Sequence, residues 1–156
     1  MGVISDTHGL LRPEAVEALQ GVELILHAGD AGDPDVLTEL ELIAPILAVR
    51  GNVDHGAWAE HLPLERRVRI QMATVYMRHI LEEVTVRPGD GSVQVVITGH
   101  THRPQIEERN GVLFLNPGSA GPRRFKLPVT LALLHVEQGV CRAELIDLER
   151  LASSEA

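Results

Sequence analysis

Cysteine is almost missing from this chain. Cys141 stands alone among 156 residues, so no disulfide can form within it, and packing must hold the fold together. Its place in an alternating C-terminal run predicts a small buried hydrophobe. Aromatic residues are scarce too, with Trp58, Tyr76, Phe114 and Phe125 the whole set. The core must therefore be built mainly of Leu, Val, Ile and Ala. Apolar residues make up 44 % of the chain, enough for one compact domain over residues 1–156. No apolar run approaches the ~20 residues of a membrane span, and residues 2–4 are far too few for a signal peptide. A cytoplasmic protein without a membrane partner is the expectation. Basic residues are also short, 14 against 22 acidic ones, for a net charge of −8. Gripping nucleic acid rests on basic surface, so that class of partner is disfavoured. A small phosphate ester is not, because two divalent cations would bring −8 to −4 and concentrate their field at one site.

Glycine and short apolar runs are what the chain does have. The first third alternates strand, helix, strand, helix, strand, with strands at 2–5, 22–26 and 46–49. Pro13 opens a helix over 14–19. Asp33-Pro34 supplies the N-cap and first position of another, running to about residue 43. Such alternation implies parallel strands with crossover helices, in which ligands bind beyond the carboxyl ends of the strands. The remainder reads as strands at 67–70, 74–79, 93–98, 106–109, 112–116, 130–136 and 141–146. Asn110-Gly111 is a strong hairpin signal and Gln138-Gly139 a weaker one. Residues 129–136 alternate poorly and are expected to be buried on both faces. The reading is an α/β domain with a largely antiparallel second half, a loop at 88–92 and a frayed end at 153–156.

Polar clusters follow several of these apolar runs: Asp6-Thr7-His8, Gly29-Asp30, Gly51-Asn52 and Gly99-His100-Thr101-His102. In extended chain, residues i and i+2 point the same way, so Asp6 and His8 can reach one cation, as can His100 and His102. The Asp30 carboxylate has two oxygens and can bridge two cations. Asn52 offers a neutral amide oxygen, and His79 ends another apolar run. Mixed imidazole and carboxylate ligation suits Mn²⁺, Fe²⁺, Zn²⁺, Co²⁺ or Ni²⁺ more than Ca²⁺.

This set, together with the opening Ile4-Ser5-Asp6-Thr7-His8-Gly9 and the run Asn116-Pro117-Gly118-Ser119, resembles the calcineurin-like metallophosphoesterases, and among them the small prokaryotic YfcE-like phosphodiesterases. The resemblance runs from Gly2 to about Leu148. It implies two packed mixed sheets flanked by helices. It also implies two divalent metal ions, Mn²⁺ foremost, with Asp6, His8, Asp30 and His102 holding the first. Asp30, Asn52, His79 and His100 would hold the second, with Asp30 bridging. The implied reaction is hydrolysis of a phosphate ester, most readily a diester, by a hydroxide between the metals. Small members often pair, so a homodimer is a further expectation.

Two positions depart from the family pattern. Val53 follows Asn52 where many members carry the histidine that protonates the leaving group, as is common in the YfcE-like branch. That leaves His55 as a candidate acid, or simply an exposed loop histidine. Ile80 follows His79 where glycine is usual. His27 is either an orienting residue behind the ligands or a buried, hydrogen-bonded histidine. His61 and His135 read as structural or exposed. Arg123-Arg124 reads as a surface pair or a phosphate contact. A competing class is a binding scaffold on the same fold, as in a eukaryotic retromer subunit. Loss of metal ligands would favour it, and the ligand set here is complete.

Overall fold

The computed structural model describes residues 1–154 apart from Pro88. Pro88, in the expected loop, and Glu155 and Ala156, in the expected frayed end, lie outside the described residues. Among the described residues no helix is long and apolar enough to cross a membrane.

Two five-stranded sheets pack face to face. The first runs β10-β9-β1-β2-β3 and the second β4-β5-β6-β8-β7. In chain order these are β1 (Gly2–Ile4), β2 (Ile25–His27), β3 (Ile46–Ala48), β4 (Glu65–Ile70) and β5 (Ala73–Arg78), then β6 (Val95–Ile97), β7 (Gln105–Arg109), β8 (Val112–Asn116), β9 (Thr130–Glu137) and β10 (Val140–Asp147). Helices α1 (Pro13–Ala18) and α2 (Pro34–Glu41) cross between the first three strands. Both open on proline, whose fixed φ suits a first turn. The Asp33 carboxylate caps α2 by accepting the Asp35 N–H at 2.8 Å. The expected strand at 22–26 begins three residues later, because Val22 still belongs to the turn that closes α1, its N–H reaching the Leu19 carbonyl. The short α3 (Ala57–Glu60) and the terminal α4 (Leu148–Ser154) carry too little helical periodicity to be read from sequence.

Most central strands are buried on both faces, which explains their unbroken apolar runs. Val3, Leu26, Val75, Met77, Val95, Ile97 and Leu115 fill the layer between the sheets. Their neighbours Ile4 and Ile25 pack outward with Leu131 against Leu19, Leu40 and Leu148 of the helical side. On the far side Tyr76, Val96 and Val112 are covered by Val86 and Val93. In β9, Leu131 belongs to the helical layer while Ala132 and Leu134 face the other sheet, so the two-sided burial expected of 129–136 holds as far as Leu134, and His135 is exposed where the strand runs past the core. Cys141 is only half-buried at the edge of the inter-sheet core, correcting the expectation of full burial.

The second half is less antiparallel than its sequence suggested. The pairs β4/β5, β7/β8 and β9/β10 are antiparallel hairpins, two of them turning through Asn110-Gly111 and Gln138-Gly139 at positive φ. The centre of the second sheet, however, pairs β5 with β6 and β6 with β8 in parallel. Parallel neighbours need a long crossover, which the chain between β5 and β6 and the β7 excursion provide. As a result β1, β2 and β3 run parallel in one sheet and β5, β6 and β8 in the other. The carboxyl ends of these strands carry the residues of the site.

Candidate metal centre

Asp6 follows β1, Asp30 follows β2, Asn52 follows β3, His79 follows β5, and His100 and His102 follow β6. Five of the site residues have positive φ: Asp6 (55°), His8 (46°), Asp30 (55°), His100 (72°) and His102 (61°). L-residues avoid this region at a cost on the order of 1 kcal/mol or more each. The i, i+2 pairs are therefore not extended, as the sequence reading assumed. Each pair reaches one point because left-handed turns fold the side chains back together.

Backbone ties between loops hold these turns. Asp6 N–H donates to the Gly29 carbonyl at 3.0 Å, His8 N–H to Asp30 at 3.1 Å and Gly9 N–H to Ala31 at 2.7 Å. Gly99 N–H donates to the His79 carbonyl at 2.9 Å. Gly51 and Gly99 allow the closest approaches. A Cβ on Gly51 would strike the Asp30 carboxylate and backbone, and one on Gly99 would strike Ser5 Oγ and, at 2.7 Å, Asp6 Oδ2.

Two groups of donor atoms converge, Asp6, His8 and His102 in one and Asp30, His79 and His100 in the other. In the first, His8 Nε2 and His102 Nε2 are 3.2 Å apart, and they lie 3.7 and 3.3 Å from Asp6 Oδ1. Donors bound to one ion at about 2.0–2.2 Å are about 3.0–3.6 Å from each other, so the spacing fits a shared cation. Asp6 Oδ2 accepts from the Ser5 hydroxyl at 2.6 Å and the His100 N–H at 3.1 Å. Its other oxygen, Oδ1, is buried with no hydrogen-bond partner among the described residues.

Asp30 divides its carboxylate similarly. Oδ1 accepts the Val53 N–H at 3.0 Å, whereas Oδ2 lies 3.1 Å from His79 Nε2 and 3.9 Å from His8 Nε2, facing both groups. His79 donates its Nδ1 proton to the Ala28 carbonyl at 2.7 Å, which leaves the Nε2 lone pair aimed at Asp30 and Asp6. Nε2 is buried without a hydrogen-bond partner among the described residues. A lone pair facing carboxylate oxygens is repulsive unless a proton or a cation lies between them. The pKa values carry the same signature. Burial acts to raise that of Asp6, but His102, His8 and His79 outweigh it and the net shift is downward. Burial acts to lower that of His79, but Asp30 and Asp6 outweigh it and the net shift is upward. These donors fit a divalent cation of the borderline type.

Of the remaining expected residues, Asn52 joins the second group through His100, whose Nδ1 lies 3.0 Å from Asn52 Oδ1. His55 is exposed, and no hydrogen bond or ion pair links it to either group. Arg123 pairs with Glu149 at 3.0 Å, the surface alternative, and Arg124 is exposed. His135 lies 3.6 Å from Glu144 at the surface.

His27 is fully buried behind these donor groups. Its Nδ1 accepts the Gly29 N–H at 3.2 Å, so Nε2 carries the proton and donates to Thr7 Oγ1 at 3.1 Å, which donates to the Ala31 carbonyl at 3.0 Å. Burial lowers its pKa to about 4, so the ring is neutral. His27 thus ties the loops after β1 and β2 together.

Several positioning residues escaped the sequence reading. The buried Asp54 carboxylate accepts N–H groups from Gly51 at 2.8 Å, Gly32 at 2.9 Å and Asp30 at 3.0 Å, clamping the loops after β2 and β3. Asn116 donates to the Gly99 carbonyl at 3.0 Å and to Thr101 Oγ1 at 3.1 Å. Ser119 Oγ donates to the Asp6 carbonyl at 2.9 Å.

The calcineurin-like phosphoesterase superfamily domain matches residues 1–139. A probable metallophosphoesterase of Methanothermobacter thermautotrophicus is 40 % identical, the match covering 94 % of this chain and 91 % of the relative. A solved archaeal phosphodiesterase is 28 % identical, with a TM-score of 0.77 over 93 % of this chain and 98 % of that one. Vps29 of Chaetomium thermophilum, at 21 % identity and a TM-score of 0.74 over 93 % and 94 % of the two chains, shares the fold. The chain belongs to the calcineurin-like phosphoesterase superfamily. The family and the two donor groups together support divalent metal binding.

Proposed function

We propose that this protein is a two-metal phosphodiesterase. Asp6, His8, Asp30 and His102 would hold one divalent cation, and Asp30, Asn52, His79 and His100 the other. The observation that carries the reading is the orientation of Asp30, whose free oxygen faces both donor groups while the Val53 N–H fixes the other.

Divalent cations bound there supply Lewis acidity toward water and toward the phosphoryl oxygens. The protein contributes a rigid frame. The Ala28 carbonyl holds His79 in the tautomer that presents its Nε2 lone pair. Ser5 and the His100 N–H leave Asp6 a single free oxygen, and Asp54 keeps the Asp30 turn closed. Such preorganisation limits reorganisation as charge builds on the phosphoryl group. Neither a serine nor a cysteine nucleophile is needed. Mn²⁺ suits the mixed imidazole and carboxylate donors, as do Fe²⁺, Zn²⁺, Ni²⁺ and Co²⁺.

The test is hydrolysis of bis(p-nitrophenyl) phosphate. Activity is expected with added Mn²⁺ and not in excess chelator; equal rates in both would refute the metal mechanism. Asp30→Ala is expected to lose nearly all turnover together with binding of both metals. A wild-type rate would mean that Asp30 does not bridge.

A further inference from the structure

A cavity of about 270 Å³ opens beside the second donor group, with Asn52 and His79 forming part of its wall. Arg50, Arg78 and Glu83 supply its charged residues, and Leu64 and Ile80 its apolar part. Two guanidinium groups at one cavity are unusual in a chain of net charge −8.

The two arginines are differently held. Arg78 is pinned against the wall, donating from Nη1 to Glu65 at 3.2 Å and from Nη2 to Glu83 at 3.4 Å. Glu65 is itself fixed, accepting from the Tyr76 hydroxyl at 2.5 Å and from Thr85 at 3.0 Å. Arg78 Nε is nonetheless buried with no hydrogen-bond partner among the described residues. Arg50 uses its backbone N–H on the Pro63 carbonyl at 2.8 Å. Its partly buried side chain has no hydrogen-bond or ion-pair partner among the described residues. A guanidinium fork matches an oxyanion with two parallel donors, and burying donors without partners is costly. Glu83, the acid on the cavity wall, is already engaged by Arg78.

We propose that this cavity is an anion subsite, in which Arg50, supported by Arg78, takes a second oxyanion carried by the substrate next to the scissile phosphate. The preferred substrates are then phosphate esters bearing a carboxylate or a further phosphate on a short carbon chain. Arg50 is thereby a specificity-determining residue. The proposal rests on the phosphodiesterase reading for the location of the scissile phosphate.

Equilibrium binding of uncleavable ligands to the Mn²⁺-loaded protein, measured by calorimetry, tests it without turnover. Phosphonopropionate and propane diphosphonate, reading a carboxylate and a phosphate in turn, are compared with propylphosphonate, which has one anionic group. At least one of the first two is expected to bind about tenfold tighter than the third. Arg50→Gln should erase that ratio, and Arg50→Lys should keep part of it. Thermal unfolding of each variant checks that the fold is intact. Equal affinity of wild type for all three ligands, or an unchanged ratio in Arg50→Gln, would overturn the subsite. Turnover of bis(p-nitrophenyl) phosphate judges the parent reading separately. Normal turnover without the binding preference sinks the subsite alone, and the preference without turnover sinks the phosphodiesterase assignment alone.

Discussion

Removing the Asp54 carboxylate should loosen the candidate metal centre without replacing any expected ligand. Asp54 is 4 % exposed and accepts three backbone N–H groups, from Asp30, Gly32 and Gly51. In Asp54→Ala these donors lose their acceptor. The bonds from Asp30 and Gly51 are fully buried, while that from Gly32 is partly buried and can turn to water. A buried donor left unsatisfied costs about 1–3 kcal/mol, so the two together cost about 2–6 kcal/mol. In a domain of this size each kcal/mol lowers Tm by about 2–4 °C, which places the expected drop at about 5–20 °C. The Asp30 turn at φ 55° should relax, and metal affinity should fall about 10–100-fold, as for other residues that orient ligands. Asp54→Asn should be intermediate, since its single oxygen can serve Asp30 and Gly51 while its amide opposes the Gly32 N–H. Scanning calorimetry in chelator measures the stability, and titration with Mn²⁺ measures the affinity. An Asp54→Ala protein with wild-type Tm and Mn²⁺ affinity would refute the clamp.

Three further outcomes are expected. His27 has a folded pKa of about 4 against 6.5 in the unfolded chain, so the unfolded state binds more protons in that window and stability falls as pH drops below 6.5. The loss is about 2 kcal/mol by pH 5 and about 3 kcal/mol by pH 4; urea titrations at pH 7 and 5 should show that His27→Gln loses about 2 kcal/mol less than wild type, and an identical loss would rule the ring out as the source. Gly51→Ala drives a methyl group into Asp30 and should abolish Mn²⁺ binding in calorimetry, whereas retained affinity would mean that the loop can shift. Val53 has no proton to give, so kcat/KM across aryl diesters should fall steeply as the leaving phenol becomes less acidic; His55→Ala should change it by less than about twofold, and a flat series would reveal a proton donor at work.

Legibility in the sequence followed the range of the interactions. Asp6, His8, Asp30, Asn52, His100 and His102 could be picked out as candidates because each closely follows a short apolar run, and a polar, metal-ligating residue there breaks the pattern locally. The Asn110-Gly111 turn was legible because two adjacent residues must adopt positive φ. The parallel pairing of β5, β6 and β8 was not, since neighbours in that sheet are separated by chain with little pattern. Asp54 was passed over because its partners are backbone amides, which every residue carries and no sequence marks.

By itself the sequence determined the inventory: an aliphatic core without disulfides, strands closed by glycine and polar ligands, and donor types suited to borderline cations. Those properties are local, set by side-chain chemistry and spacing over a few residues. Only the tertiary structure decided that left-handed turns, rather than extended chain, aim the paired ligands, and that one Asp30 oxygen faces both groups while the other is spent on Val53. It also decided that Arg50, unpaired among the described residues, lines one cavity with His79. Each of these depends on loops distant in sequence meeting at the ends of two sheets, and that meeting is fixed by how the strands pair and pack rather than by any one segment.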